Sequence, residues 1–219
     1  MMHAIILLGA PGAGKGTVAE DLKQQVGIVH VSTGDMLREA IRAGRPVGLE
    51  AKAYMDKGEL VPDDVIIRMV QERLEAGKPE DRFMFDGFPR NVRQAELLDD
   101  LMPKCGGRIT HVFMLEVPRE IVIRRISNRR VCRQCGAVYN LIGSMRPKVE
   151  GKCDVCGGEV YQRADDNEVT VANRLDVFHR ETAPLVEYYQ AKGVFVRVDA
   201  RDRRETELQI LQQLGLSSQ

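Results

Sequence analysis

The sequence predicts a three-layer α/β fold, in which a five-stranded parallel sheet carries helices on both faces. Short apolar, β-branched runs alternate with stretches of helical periodicity along most of the chain. This alternation is typical of β–α crossover units and of a sheet buried on both sides. Residues 131–161 lack the helical period and are rich in Gly and Cys. They predict a small β-rich insertion that something other than an apolar core holds together.

The individual elements follow from the same periodicity. Strands are predicted at residues 4–8, 28–31, 83–85, 111–117 and 194–198. Helices are predicted at residues 16–26, 35–43, 49–57, 64–76, 90–101, 119–130 and 204–214. Two short helices between residues 33 and 61 share one gap between strands, which predicts a second insertion there.

Composition limits the classes of function. The 219 residues contain 32 basic and 32 acidic side chains, so the formal net charge is zero. No overall field therefore attracts nucleic acid or an anionic membrane. Trp is absent and aromatic residues are only 5% of the chain, which disfavours a stacking platform for single strands. The longest apolar run, residues 4–8, is too short to span a bilayer. We expect a cytoplasmic protein without nucleic-acid or membrane partners.

The strongest local motif is GAPGAGKGT at residues 9–17, between a predicted strand and a predicted helix. Glycines allow successive backbone N–H groups to surround an anion, and the helix N-terminus adds partial positive charge. Lys15 can then reach the outer phosphates of a nucleotide. Gly16 separates Lys15 from Thr17, whereas the usual pattern places Ser or Thr directly after the lysine. The context favours a phosphate-binding loop over a glycine-rich turn without a ligand.

Two further motifs are ambiguous when taken alone. In STGDMLR at residues 32–38, Ser32 or Thr33 could simply cap a helix, and Arg38 could be a solvated surface residue. DGFPR at residues 86–90 follows a predicted strand, where Asp86 could cap a helix. A carboxylate at that strand end could instead hold water around Mg²⁺, opposite the phosphate loop. The planar guanidinium of Arg90 suits a phosphate.

Four of the five cysteines form two CxxC pairs, Cys132 with Cys135 and Cys153 with Cys156. Seventeen residues separate the pairs, a spacing typical of a tetrahedral Cys₄ zinc site. Two disulfides are the alternative, and a reducing compartment disfavours them. Four thiolates leave no open position for a catalytic water, so the metal is expected to be structural. The spacing does not distinguish zinc from iron.

Arginines flank the cysteine-rich insertion on both sides, Arg125 and Arg129 before it and Arg163 and Arg174 after it. Arg125 and Arg129 are predicted to lie on one face of the helix at residues 119–130. A charged run of this kind usually marks a solvated face. Phosphoryl transfer, however, requires several positive groups around the moving phosphate.

Together these motifs resemble the bacterial adenylate kinases of the long form with a Cys₄ zinc-binding lid, within the P-loop nucleoside monophosphate kinase family. The resemblance runs from residue 4 to about 215 and includes GELVPDD at 58–64, ISNRRVC at 126–132 and RADD at 163–166. It implies a P-loop NTPase-like core at residues 1–31, 62–127 and 162–219. It also implies a nucleoside-monophosphate-binding insertion at 32–61 and a zinc-binding lid at 128–161.

The implied reaction is reversible transfer of a phosphoryl group from MgATP to AMP, which gives two ADP, in a monomeric enzyme with structural Zn²⁺. The resemblance implies that the ATP phosphates are bound by Gly12, Ala13, Gly14, Lys15, Gly16, Thr17 and Arg129. Arg125 would stack on the ATP adenine, beside the backbone of Val138 and Tyr139. The AMP site is implied at Thr33, Arg38, Glu59, Leu60, Val61, Gly87, Arg90, Gln94, Arg163 and Arg174. Lys15, Arg90, Arg129, Arg163 and Arg174 would surround the transferring group, and Asp86 would orient water around Mg²⁺.

Two alternative functions remain at this point. A kinase for another monophosphate, or one that uses GTP as donor, would carry similar motifs, although Gln94 favours adenine. A regulatory or repair NTPase could use a zinc ribbon to bind nucleic acid, but the neutral charge and scarce aromatic residues disfavour it.

Overall fold

The computed structural model describes residues 1–78 and 80–216. In chain order its main elements are β1 (Met2–Gly9), α1 (Lys15–Val26), β2 (Val29–Ser32), α2 (Thr33–Arg42), α3 (Pro46–Lys57), α4 (Asp63–Glu75), β3 (Arg82–Asp86), α5 (Val92–Lys104), β4 (Gly107–Glu116), α6 (Arg119–Ser127), β5 (Arg129–Cys132), β6 (Val138–Asn140), β7 (Val160–Tyr161), α7 (Glu168–Val177), α8 (Leu185–Ala191), β8 (Phe195–Asp199) and α9 (Arg203–Gln213).

The central sheet has five parallel strands in the order β2-β3-β1-β4-β8. Successive side chains of β1 point to opposite faces, and both faces are buried. Ile6 belongs to one apolar core with α4, α5 and α8. Ile5 and Leu7 belong to the other, with α1 and α9. Burial of β1 on both faces explains its apolar run at residues 4–8, and the predicted three-layer α/β fold is confirmed.

A second, antiparallel sheet, in the order β6-β5-β7, lies within residues 128–161. We call these residues the cysteine segment. The helix predicted at residues 119–130 is wrong at its end, because α6 stops at Ser127 and Arg129 lies in β5. Asn128 ends the helix, where its side-chain amide donates to the Arg124 carbonyl over 2.9 Å. Arg125 and Arg129 consequently do not share a helix face.

The C-terminal half departs most from the sequence-based expectation. Helices α7 and α8 were not predicted, and β4 begins at Gly107, four residues before the expected start. Helix α7 packs on α6 through a small apolar cluster that includes Val122, Ile126, Val171 and Leu175. Within residues 1–78 and 80–216, every helix is too short or too polar to cross a bilayer.

Candidate active site

The phosphate loop connects β1 to α1 at the carboxyl edge of the central sheet. Gly14 caps α1 with φ 102° and, having no side chain, makes no capping hydrogen bond to the helix N-terminus. The first N–H groups of α1 are therefore available to an anion. A Cβ atom on Gly12 would stand 2.6 Å from Ile126 Cγ1, so only glycine allows the loop to pack this closely against α6.

Lys15 starts α1 and bends back over the loop. Its ammonium group donates to the carbonyl of Gly9 over 2.7 Å and to that of Ala10 over 3.1 Å. Burial lowers the pKa of Lys15 from 10.5 to about 8; the attraction of Asp86 opposes this shift, and repulsion from Arg90 and Arg174 adds to it. The lysine, the two arginines and the carboxylate thus form one electrostatic cluster.

Asp86 ends β3 at a position in register with Ser32 on β2 and Leu7 on β1. Its Oδ2 atom lies 3.5 Å from Nε2 of His30 and 3.4 Å from where a Cβ on Gly16 would stand. Burial alone would raise the pKa of Asp86, but His30 and Lys15 outweigh it and lower the pKa. An ionised carboxylate at this edge fits the oxygen-rich shell that Mg²⁺ prefers. His30 was not identified as a functional residue, since a single strand-end histidine carries no spacing signal.

A cleft opens between α2, α3, the start of α4 and the loop after β3. Nine of the ten residues implied for AMP line it: Thr33, Arg38, Glu59, Leu60, Val61, Gly87, Arg90, Gln94 and Arg174. Arg163 is not among the lining residues. The cleft encloses about 60 Å³, well below the ~300–1,000 Å³ of common small-molecule sites. A ligand of ordinary small-molecule size would therefore require the walls of the cleft to move apart.

One wall of the cleft is fixed by a hydrogen-bond network around Gln94. The Gln94 side-chain oxygen accepts from the Arg90 backbone N–H over 2.8 Å, and its amide donates to Asp63 over 2.7 Å. The guanidinium Nε of Arg90 donates to the Gly87 carbonyl over 2.7 Å, and the Thr33 hydroxyl donates to the same carbonyl over 3.0 Å. These bonds hold Arg90 and Gln94 in fixed orientations toward the cleft.

The arginines of the cysteine segment and of α7 are paired with two aspartates. Arg129 forms a two-pronged ion pair with Asp166, one bond of which is 2.8 Å. Arg174 contacts Asp165 over 2.9 Å and Asp166 over 3.4 Å. Burial lowers the pKa of Arg174 to about 10, although the aspartates oppose the shift. The carboxylates of the RADD motif therefore orient these arginines, a role that the sequence motif did not reveal.

Arg163 and Arg38 converge on Asp35 of α2. Arg38 lies 2.6 Å from the Asp35 carboxylate and Arg163 lies 3.6 Å from it. Burial alone would raise the pKa of Asp35, but the two arginines lower it to about 2. Burial also lowers the pKa of Arg163 to about 10, with repulsion from Arg38 and Arg129 in the same direction. The ion pair links the chain after β7 to the helix that lines the cleft.

The residues implied for the ATP adenine have other contacts in the structure. The Arg125 guanidinium donates to the carbonyls of Ala200, Arg201 and Ala13 over 3.0, 2.7 and 3.3 Å. Val138 and Tyr139 lie in β6, and Asn140 after them donates to the Arg125 carbonyl over 3.0 Å. The backbone of β6 is therefore held against α6, close to the start of the phosphate loop.

The four CxxC cysteines converge, and their Sγ atoms all lie within 4.8 Å of one another. The closest pairs, Cys132 with Cys156 and Cys135 with Cys153, are 3.5 Å apart. A tetrahedral zinc–thiolate site has sulfur atoms about 3.8 Å apart, from Zn–S bonds of ~2.3 Å. The donor set thus fits Zn²⁺, and the cysteines are free of disulfide bonds. The buried Tyr139 hydroxyl contacts Cys153 Sγ at 3.2 Å, a contact that the sequence did not predict.

Comparison with known proteins identifies the family of the chain. The family model described as adenylate kinase matches residues 7–194. The adenylate kinase of Carboxydothermus hydrogenoformans is 52% identical over 195 residues, 89% of this chain and 91% of that protein. The adenylate kinase of Caldicellulosiruptor bescii is 48% identical over 213 residues, 97% of this chain and 99% of that protein. The adenylate kinase of Archaeoglobus fulgidus is 52% identical over 195 residues, 89% of each chain. The chain therefore belongs to the adenylate kinase family of nucleoside monophosphate kinases.

Proposed function

We propose that this enzyme transfers the γ-phosphoryl group of MgATP reversibly to AMP, giving two ADP. One observation carries the proposal. A single cleft is lined by nine of the residues implied for AMP, and the arginines of this cleft lie beside the phosphate loop. Arg90 and Arg174 line that cleft and also repel Lys15. A phosphate held in the cleft would therefore lie beside a phosphate held by the loop.

On the donor side, the backbone from Gly12 to Thr17 would hold the ATP phosphates at the N-terminus of α1. Lys15 would leave the carbonyls of Gly9 and Ala10 and turn to the outer phosphates. Their negative charge would raise its pKa and keep it protonated. Arg125 would stack on the adenine, beside the backbone of Val138 and Tyr139, after releasing carbonyls that it now contacts.

On the acceptor side, Arg90 and Arg38 would bind the AMP phosphate. Gln94 would read the adenine, with Thr33, Gly87 and the stretch Glu59, Leu60 and Val61 around it. The amide of Gln94 offers both a donor and an acceptor, which suits the edge of adenine. Its fixed orientation between Arg90 and Asp63 supports this role.

During transfer, Lys15, Arg90, Arg129, Arg163 and Arg174 would stabilise the charge that spreads over the moving phosphoryl group. In-line phosphoryl transfer requires little proton chemistry, so positioning and electrostatics supply most of the catalysis. Water must be excluded, because an open site would hydrolyse ATP.

We propose that residues 32–61 and 128–161 move against the core of residues 1–31, 62–127 and 162–219 to close the site. Such closure is well known for lids in adenylate kinases. The hydrogen bond of 2.7 Å from Arg42 on α2 to the Arg133 carbonyl of the cysteine segment supports contact between the two moving parts.

Two metal ions belong to this proposal. Asp86 would hold Mg²⁺ through water, and the ion supplies neutralisation of phosphate charge. Cys132, Cys135, Cys153 and Cys156 would hold Zn²⁺ as a structural ion, because four thiolates complete its coordination. Cys132 and Cys153 form a small core with Tyr139, and none of the four cysteines lines the cleft.

A coupled assay with ATP and each nucleoside monophosphate, repeated with GTP as donor, tests the proposed function. We expect kcat/KM to be highest for ATP with AMP, by at least tenfold. Preference for another monophosphate, or for GTP, would reassign the acceptor or donor pocket. Gel filtration tests the expected monomer, and a gel shift at ordinary salt tests the expected absence of nucleic-acid binding.

A further inference from the structure

A second cavity lies at the opposite end of the central sheet from the phosphate loop. It measures about 520 Å³ and is bounded by the first residues of β1, β3 and β4 and by the end of α9. Gly9 at the phosphate loop is six positions along β1 from His3 at this cavity. At ~3.3 Å per residue, the two sites are about 20 Å apart.

Basic side chains form a row across three adjacent strands at the mouth of this cavity. His3 on β1 is in register with Arg82 on β3 and with Arg108 on β4. Residues in register point to the same face of a sheet, and neighbouring strands lie ~4.8 Å apart. The two exposed arginines therefore flank His3 at a separation that lets both guanidinium groups reach one anion between them.

No acidic side chain in the wall of the cavity neutralises this positive charge. The lining contains two arginines and two histidines but no Asp or Glu. Among residues 1–78 and 80–216, neither Arg82 nor Arg108 forms a salt bridge. The nearby Asp81 carboxylate instead accepts the Lys78 backbone N–H over 2.7 Å. An anionic ligand would complement this surface.

The interior of the cavity is different in character. Apart from Thr110, the remaining lining is apolar and includes Ile5, Leu214 and Leu216. His111, in register with Ile5, stacks on Phe113 with ring centres 5.7 Å apart. Its Nδ1 atom is buried and makes no hydrogen bond in the part of the chain that the structure describes. The His111 ring lies in the wall of the cavity, where a bound ligand would change its surroundings.

We propose that this cavity binds an amphipathic organic anion, whose single oxyanion head lies between Arg82 and Arg108 and whose apolar body lies against Ile5 and Leu214. The volume falls within the range of small-molecule sites. The apolar interior excludes a polyphosphate or a free inorganic anion as the preferred ligand. The position at the far edge of the sheet makes the site independent of the proposed nucleotide cleft.

Histidine NMR on the full chain gives a direct test, because the chain has only four histidines. His3 and His111 line the cavity, whereas His30 contacts Asp86 and His179 is exposed elsewhere. Octanoate is the probe, octanol lacks the charge, and inorganic phosphate lacks the apolar body. We expect octanoate to shift the imidazole signals of His3 and His111 saturably and to leave those of His30 and His179 in place. Octanol and phosphate should bind at least fivefold more weakly.

Substitution then tests the head-group contacts. The double variant Arg82→Gln/Arg108→Gln should weaken octanoate binding at least tenfold and leave octanol binding unchanged. The matched control, Arg73→Gln/Arg119→Gln, changes two exposed arginines elsewhere and should leave octanoate binding intact. If the first double variant fails to fold, the comparison of octanoate with octanol on the unaltered chain decides the question.

Several results would overturn the proposal. Equal binding of octanoate and octanol would remove the role of the arginines. A shift of His30, or displacement of octanoate by saturating AMP, would place the probe in the nucleotide cleft. A variant truncated after Leu216 gives a last test. If octanoate bound this variant and not the full chain, the cavity would be filled by the chain's own terminus.

Discussion

Lys15 combines a proposed catalytic role with a pKa lowered to about 8 by burial. The free enzyme should therefore lose this positive charge above pH 8. We expect kcat/KM for MgATP, which reports the free enzyme, to fall above about pH 8. The kcat profile should stay level to higher pH, because bound phosphates restore the proton. Steady-state kinetics between pH 6.5 and 10 measures both profiles.

The variant Lys15→Arg is the control for this titration, because guanidinium remains protonated over the whole range. Its kcat/KM should be lower but independent of pH. A wild-type profile that is level to pH 10 would show that Lys15 stays charged in the free enzyme.

The same lysine links activity to stability. A lysine whose pKa is lowered on folding stabilises the native state above pH 10.5, and this contribution is lost as the pH falls through about 8. Protonated Lys15 therefore destabilises the enzyme at pH 7. We expect Lys15→Met to melt at a higher temperature than the wild type at pH 7, while kcat falls at least ~100-fold. Calorimetry and the coupled assay on the same preparation measure both effects, and a lower melting temperature would contradict the burial argument.

Substitution of Arg90 should distinguish the proposed AMP site from the proposed ATP site. Its guanidinium lies in the cleft with Thr33 and Gly87. A charged hydrogen bond contributes about 1.5–3 kcal/mol, so Arg90→Ala should weaken AMP binding roughly 10–100-fold and slow transfer. Affinity for ATP should change little, as titration calorimetry with each nucleotide alone can measure. Loss of ATP binding with AMP binding intact would reverse the donor and acceptor assignments.

At the scale of elements, α2 and α3 pack as closely as their backbones allow. A Cβ on Gly48 would stand 2.3 Å from the Ala40 backbone. Gly48→Ala should therefore push the helices apart, cost about 1–3 kcal/mol and lower the melting temperature by several degrees. KM for AMP should rise, because α2 and α3 both line the cleft. Leu49→Ala, at the exposed neighbouring position, is the control and should change neither value.

The cysteine segment depends on its thiol cluster, since its apolar core contains little beyond Cys132, Tyr139 and Cys153. Cys153→Ser, or chelation, should lower the melting temperature by roughly 10 °C or more and leave transferase activity at low temperature. Cys105→Ser is the matched control outside the cluster and should change little. Metal analysis under reducing conditions should find one zinc per chain. Chelation that abolishes activity without changing melting would make the metal catalytic.

The sequence predicted the elements whose pattern is local. Strand β1 is apolar at residues 4–8 because both of its faces are buried there, and the phosphate loop follows from glycine spacing. Helix α7 was missed because its apolar residues do not share one face: Val171 and Leu175 pack in the cluster with α6, whereas Val169 is exposed. The end of α6 was misplaced because strand pairing of Arg129 with Asn140 overrides helical periodicity.

The site shows the same division between local and long-range information. The cysteine spacing and the arginines were recognisable from the chain alone. His30, Asp63 and Asp166 were not, because each meets a partner that is distant in sequence. Asp63, for example, meets Gln94 across 31 positions of chain. A lone carboxylate or imidazole carries no signal until the fold supplies that partner.

At the scale of the whole molecule, the Arg42–Arg133 bond joins the helix at the cleft to the turn between Cys132 and Cys135. A single such bond is worth about 0.5–1.5 kcal/mol. We expect Arg42→Ala to raise KM for both nucleotides less than tenfold and to leave the melting temperature within about 1 °C. Arg45→Ala, just beyond α2, is the control. An effect on AMP alone would mean that Arg42 acts within the cleft rather than between the two segments.

The ion pairs of Arg129 and Arg174 also have a consequence for anion selectivity. Asp165 and Asp166 belong to the same chain and compete with any anion for these guanidinium groups. We expect a free ion such as inorganic phosphate or sulfate to gain too little to displace the two carboxylates. A nucleotide is also anchored at its base, so we expect it to exchange partners with the aspartates where a simple ion of the same charge cannot. The ion pairs would thereby favour anions that carry a nucleoside over those that do not.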